Sequence, residues 1–313
     1  MALNTTVLAS SIGDGLQIDG YDKVLKWALR SMPVYRQFVF GVPHDPTNNS
    51  RTYHLKKNNY IPTGSRVLDE VNDPTPLTSP QSTDLTIGFT EVGALIGRTY
   101  RLQSATYVEV DPTIAKQLAT DVADTLDNMV RDVMIAGTNR STSNAGAPEA
   151  PVAVNTLTAA DIFSARLARR AVRDLRKRNV VPLRGENYVA VISPETSVDL
   201  REETGASNWT APHQYVDTSN IYRGEIGTFE GAIYLETNRA YRANDGAASA
   251  EIHRTLFIGD ESTAEAVKVE PFADVSDPQD AMKRHRYVFW RGDLGHVVYR
   301  QESLQRVEHG VSA

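Results

Sequence analysis

The 313-residue chain contains no cysteine, which removes disulfides, thiolate metal sites and cysteine nucleophiles in one step. Stability must come from burial and association. No apolar run approaches the length that crosses a bilayer, and Met1-Ala-Leu-Asn-Thr-Thr lacks the basic start of a secretory signal. A cytoplasmic origin without a membrane partner is the expectation. Positive charge is also short. The 33 Lys and Arg residues face 39 Asp and Glu, a net charge of −6, whereas a dedicated nucleic-acid binder needs a cationic excess to neutralise phosphates. Lys23 is the first basic residue, so the N-terminus carries no polycationic packaging arm.

Reactive constellations are missing too. His44, His54, His213, His253, His285, His296 and His309 form no HExxH or paired spacing, and there is no Gly-X-Ser-X-Gly elbow. Gly224, Gly227 and Gly231 are not followed by Gly-Lys-Ser/Thr and do not make a phosphate loop. The adjacent carboxylates Glu202 and Glu203 suit solvation of a polar loop better than acid–base work. The expectation is a chain with no catalytic, cofactor-binding or metal-binding residue, and not an enzyme.

What is present is an ordinary globular content, 41% hydrophobic and 23% charged, enough for a sizeable core in one or two domains. Its organisation is less ordinary. Residues 51–61 alternate weakly, and residues 84–102 are rich in β-branched and aromatic side chains, which predicts two strands. Between them, Pro62-Thr-Gly-Ser and Asn72-Asp-Pro-Thr-Pro-Leu-Thr-Ser-Pro allow only an irregular tip. A lone two-stranded ribbon buries too little surface to offset its ordering entropy, so this hairpin needs support, for which another chain is a candidate. One long helix follows at once. Asp111 suits its N-cap and Pro112 its first position, and Ile114, Leu118, Val122, Leu126, Met129 or Val130, and Val133 recur at helical spacing up to Gly137. Asp121, Asp124, Asp127, Arg131 and Asp132 are assigned to the wet face, where alanine at Asp121 or Asp127 should be harmless.

Residues 1–20 suit an extended arm, and residues 22–31, around Trp27, a short amphipathic helix. A low-complexity stretch, residues 138–151, marks a boundary. Thr158-Ala-Ala-Asp161 suits the head of a helix with Ile162, Leu167, Ala168, Ala171, Val172 and Leu175 inside. Arg166, Arg169, Arg170, Arg173, Arg176, Lys177 and Arg178 lie outside. That basic face fits a solvated surface favoured by the macrodipole, phosphate contact, or ion pairs with a neighbouring subunit. Tyr188-Val-Ala-Val-Ile192 predicts a buried strand, Ser193-Pro-Glu a helix through Leu200, and residues 222–237 a glycine-punctuated turn into a strand. Further strands are predicted over residues 254–258, 287–290, 296–299 and 304–307.

The order of parts, with Val92-Gly-Ala-Leu-Ile-Gly-Arg-Thr, Tyr188-Val-Ala-Val-Ile-Ser-Pro-Glu-Thr-Ser-Val-Asp-Leu and Arg223-Gly-Glu-Ile-Gly-Thr-Phe-Glu-Gly-Ala-Ile-Tyr-Leu-Glu-Thr, resembles tailed-bacteriophage major capsid proteins of the Hong Kong 97-type fold, and among them the N-four-type coat proteins. The resemblance implies an α+β fold with an N-arm (1–45), an extended hairpin loop (46–108), a spine helix and peripheral domain (109–154), an axial domain (155–285) and C-terminal strands returning to the peripheral domain (286–313). It implies self-assembly into pentamers and hexamers, from which an icosahedral shell around double-stranded DNA is tiled. The partners implied are other copies of the chain, a separate scaffolding protein, a portal, a decoration protein and non-specifically contacted DNA. Assembly would take place in the host cytoplasm. The inter-subunit contacts expected are Arg51, Lys56, Lys57, Arg66 and Arg98 of the loop region and Arg169, Arg170 and Arg173 of the basic helix. Lys56 and Lys57 lie in the loop that some relatives cross-link, but no acceptor motif accompanies them, so a non-covalent shell is expected. An encapsulin compartment holding enzyme cargo shares the fold and is the alternative.

Overall fold

The computed structural model describes residues 33–43, 50–58, 70, 82–105, 110–143, 151–203, 225–278, 280 and 282–312. The expected N-terminal arm, the short helix around Trp27, the hairpin tip and the Trp209 loop lie outside these residues.

Two sheets are built around one long helix. The first has four strands in the order β1 (Val39–Val42), β11 (Thr263–Val275), β12 (His285–Val298) and β4 (Thr90–Thr99). The second has seven: β5 (Arg140–Thr142), β13 (Leu304–His309), β10 (Ile252–Ile258), β6 (Tyr188–Ile192), β8 (Ala232–Glu236) and β7 (Glu225–Phe229) in that order, with β9 (Tyr241–Ala243) paired to β10. A separate two-stranded ribbon pairs β2 (Thr52–Asn58) with β3 (Ser82–Gly88), Thr52 opposite Gly88 and Asn58 opposite Ser82.

The strand-like run 84–102 therefore serves two sheets. It breaks at Phe89: β3 stays with the ribbon, β4 pairs along its whole length with β12, and a short helix α1 (Tyr100–Ala105) follows. The ribbon's base also rests on its own chain. Ile87 is fully buried with Ala264 and Ala266, and Tyr53, Leu55, Val297 and Tyr299 pack around them. A Cβ at Gly295 would lie 2.4 Å from the Gly88 carbonyl oxygen; only glycine lets the ribbon approach β12 this closely. At the base, support from another chain is not needed.

The long helix α2 (Val110–Ile135) has 26 residues, about 39 Å at 1.5 Å per residue. Its apolar stripe divides between two cores. Ile114 and Leu118 pack with Val288 and Trp290 under the four-stranded sheet, whereas Val130, Met134 and Ile135 join Tyr35, Val189, Val191, Leu256 and Leu304 under the seven-stranded one. β6 shows why its run is unbroken and apolar: Val189 and Val191 face that core, while Tyr188, Ala190 and Ile192 face the core built with α3 (Ala165–Lys177) and α4 (Pro194–Glu202). Burial on both faces removes the polar alternation that a one-sided strand would show.

Of the acids assigned to a wet face, Asp132 is exposed, but Asp121, Asp124 and Asp127 do not lie on one. Asp127 is 0% exposed and accepts from the backbone N–H groups of Tyr35 (2.7 Å) and Arg36 (3.1 Å), the start of a 3-10 turn over Tyr35–Phe38. Asp121 accepts from the Trp290 indole N–H at 2.9 Å, and Asp124 binds the Arg239 guanidinium. Spaced three apart on one helix, each carboxylate grips a different element.

Other boundaries shift. α3 starts at Ala165 with Ser164 as its cap, because Asp161 is used earlier, accepting from the Thr158 N–H and hydroxyl. Ile162, placed inside by its spacing, is 37% exposed and sits in a bridge to Gly310. The expected glycine turn before a strand is instead a hairpin, β7–β8, turning at Glu230 (φ 51°) and Gly231 (φ 82°), the paired positive φ of a tight primed turn. The runs 287–290 and 296–299 merge into β12. β13 leaves that strand's sheet for the seven-stranded one, while β11, before residue 285, pairs with β12.

Candidate interaction surfaces

Three surfaces stand out on the protomer, and each follows from local sequence. The first is the ribbon. Its outward positions carry His54, Lys56 and Asp84, with His54 Nδ1 3.1 Å from Asp84 Oδ2. Arg51 is exposed at its base, where the Arg51 carbonyl accepts from Phe89 N–H. Lys57 points the other way, to Glu302 at 3.4 Å and over the Tyr299 ring at 5.9 Å. A backbone hydrogen bond at Glu302 itself and then the Lys57 charge hold that carboxyl below its ordinary range, against partial burial. Lys57 is thus engaged within the protomer and Lys56 is displayed. Arg66 lies outside the described residues.

The second surface is the face of the four-stranded sheet turned away from α2. Because Val288 and Trp290 point to the helix, Tyr287, Phe289 and Arg291 point out, opposite Gly97, Leu95 and Gly93 of β4. Leu95 is 64% exposed, and Phe272 meets Phe289 edge to face and lies under the Arg291 guanidinium. Arg98, on the inward register of β4, is only 7% exposed; it is a buried cation within the protomer and no displayed contact. The sequence reading missed this face, although the alternation Val92-Gly-Ala-Leu-Ile-Gly encodes it: small residues on one side leave Leu95 standing clear.

The third surface is α3. Its helical repeat buries Leu167, Ala168, Ala171, Val172 and Leu175 and turns Arg166, Arg173, Arg176 and Lys177 outward, with Arg169 and Arg170 half-buried at the flanks. Arg169 Nε reaches Glu230 on the β7–β8 turn at 2.8 Å, and Arg173 bonds Asp174 of its own helix at 2.8 Å. Arg178 turns inward, donating to the Asp174 carbonyl and to Gln305, and burial lowers its pKa. Between helix and turn lies an open cavity of about 560 Å³, lined by Arg169, Val172, Arg173, Arg176, Lys177 and Glu230. Four cations against one carboxylate give its lining a net positive charge, with Arg169 and Arg173 already paired to Glu230 and Asp174.

One cluster looks like chemistry and is architecture. Ser193 Oγ lies 2.8 Å from His253 Nδ1, and His253 Nε2 lies 3.8 Å from Glu251. The Ser193 hydroxyl also accepts from Thr196 N–H as the N-cap of α4. Both Ser193 and His253 are buried. A nucleophile has to meet substrate, and this one is closed off and occupied.

A family profile described as "Phage capsid protein" matches residues 99–269, 171 of the 313 residues, which takes in the end of β4, α2 and most of the seven-stranded sheet. No curated protein matches the chain by sequence. Solved structures do match by fold. The capsid of Cyanophage Pam1 aligns with a TM-score of 0.75 and 14% identity, over 99% of this chain and 100% of that one. The capsid of Ralstonia phage GP4 aligns with a TM-score of 0.71 and 15% identity over 99% of each chain. The capsid of a native GTA particle aligns with a TM-score of 0.65 and 17% identity, over 99% and 100%.

Proposed function

Because the chain belongs to the phage capsid protein family and folds like the shells of such particles, we propose that it is the major head protein of a tailed phage. Copies would associate into pentamers and hexamers that tile an icosahedral shell around double-stranded DNA. The N-four-type coat proteins are the subgroup its motifs suggest. In this reading the ribbon is the extended loop, and α2 is the spine. The four-stranded sheet forms the peripheral domain, and the seven-stranded sheet with α3 and α4 forms the axial domain. A separate scaffolding protein, a portal and a decoration protein would be partners during assembly in the host cytoplasm, and the shell would be held without covalent cross-links. The family match favours this reading over an encapsulin compartment, which would share the fold.

The observation that carries it is the ribbon. β2 and β3 pair only with each other among the described residues, and both strands leave an open edge of backbone donors and acceptors that another chain can satisfy. Asn58 and Ser82 stand opposite each other, so residues 59–81 can be replaced by Asn-Gly, which closes a two-residue hairpin turn. The shortened protein should unfold cooperatively like the parent and form no closed particles in sedimentation or electron microscopy. Normal shells from it would sink the assignment of the ribbon as an assembly element.

A further inference from the structure

The α3 cavity has a counterpart on the same chain. Along α3, Arg169, Val172 and Arg176 recur at i, i+3 and i+7, with Arg173 and Lys177 between and beyond them. Along α4, Glu195, Val198 and Glu202 recur at the same spacing, and all three are exposed, Val198 at 48%. Residues so spaced share one helix face, and seven residues span about 10.5 Å on either helix. One helix therefore presents two cations flanking the nearly buried Val172 at the bottom of the cavity, and the other presents carboxylate, apolar knob, carboxylate.

We propose that the α3 groove of one subunit receives the outer face of α4 from the next copy. Val198 would enter the cavity over Val172, while Glu195 and Glu202 meet the flanking guanidinium groups. The inference rests on the shell-protein reading, since it requires that copies associate. Two observations favour a protein carboxylate over a phosphate. The groove already holds one carboxylate, Glu230, whose bond to Arg169 shows that the spacing suits such a group; a fixed negative charge in the lining also disfavours a continuous phosphate backbone. The floor is apolar, which a phosphodiester cannot use. Arginine dominates the stripe, and its planar fork offers two-point contact to carboxylate and phosphate alike, so the choice between them rests on the lining. The α4 face has competing neighbours: Arg242 lies 3.7 Å from Glu195, and Arg201 precedes Glu202. Neither covers Val198. Because the two faces differ, the contact is head to tail, the kind that closes into rings.

The test uses the full chain in three forms: Arg173→Glu with Arg176→Glu, Glu195→Lys with Glu202→Lys, and all four changes together. All four side chains are exposed, and matching thermal unfolding checks that each form folds. Each charge-reversed pair should lower the ring and shell fraction in sedimentation at least tenfold, high salt should do the same to the parent, and the fourfold variant should recover assembly. Normal assembly of either pair overturns the proposal, as does a folded fourfold variant that stays dispersed. A 30-base-pair duplex is titrated in parallel. If Arg173→Glu with Arg176→Glu loses duplex binding and assembles normally, the groove serves phosphates and the proposal falls. A parent protein that never leaves the monomer under any assembly condition would overturn the shell reading itself, a result distinct from variants that behave like an assembling parent.

Discussion

At the scale of single residues, the side chains that matter most are those whose partners are far away in the chain. Asp127 was legible as a helical acid and illegible as a clamp, because what buries it, Tyr35 and Arg36, is some 90 positions earlier. Charge type and helical spacing say only that a carboxylate stands on that face; a tertiary neighbour decides whether the face is wet. Asp127→Ala should orphan the buried Tyr35 N–H and the half-buried Arg36 N–H and cost about 1–3 kcal/mol, read as a lowered urea midpoint, whereas Asp132→Ala on the exposed side should leave it unchanged.

The pair His253 and His309, opposite each other on β10 and β13 with ring centres 6.1 Å apart, sets a second expectation at this scale. Burial pushes His309 down to about 3, opposed by its bond to the Gly310 carbonyl, and burial also lowers His253. Thr255 and Ser193 bond these rings, and Glu195, Glu251, Asp199 and Arg242 face His253. His309 therefore stays neutral in the folded chain well below the pH, near 6.5, at which an unfolded histidine takes its proton, and His253 is shifted in the same direction. Stability from this source is complete above pH 6.5 and drains away as pH falls toward 3. His309 contributes a slope of up to about 1.4 kcal/mol per pH unit in that window, and the lowered His253 adds to it with the same sign. His309→Gln should flatten the stability profile between pH 6.5 and 5, above the carboxylate range. An unchanged slope there would mean that His309 is protonated in the folded protein.

At the scale of elements, α2 was readable because a stripe of 26 residues outweighs any single ambiguity, and its N-terminal stripe residue Leu118 is buried where its spacing put it. Leu118→Ala opens a cavity beside Trp290 and should cost about 2–5 kcal/mol, a large part of a domain's net stability. Thermal unfolding and soluble yield would both report it. β11 was not readable. Its Ala264, Glu265, Ala266 and Lys268 have weak strand preference, Pro271 sits inside it, and register shifts at 267–269 and 269–272 break the alternation. Pairing with β12 along its length overrides those preferences. The basic stripe of α3 was visible in the sequence and the acidic knob of α4 was not, since two glutamates and a valine are unremarkable until the helix beneath them is fixed.

At the scale of the whole molecule, the low-complexity composition of residues 138–151 was legible, although β5 within them already belongs to the seven-stranded sheet. The path of the C-terminal third was not, because β11 and β12 return to one sheet and β13 crosses to the other. That crossing leaves α2 as a beam seated in two separate cores. A beam held at both ends cannot turn at one seat without turning at the other. Over about 39 Å, a tilt of about 5° displaces the far end by about 3 Å, roughly the spacing between neighbouring residues of a strand. A change of packing too small to break any contact under the seven-stranded sheet is thereby magnified under the four-stranded one. How far such a tilt would carry is set by the length over which one apolar stripe runs.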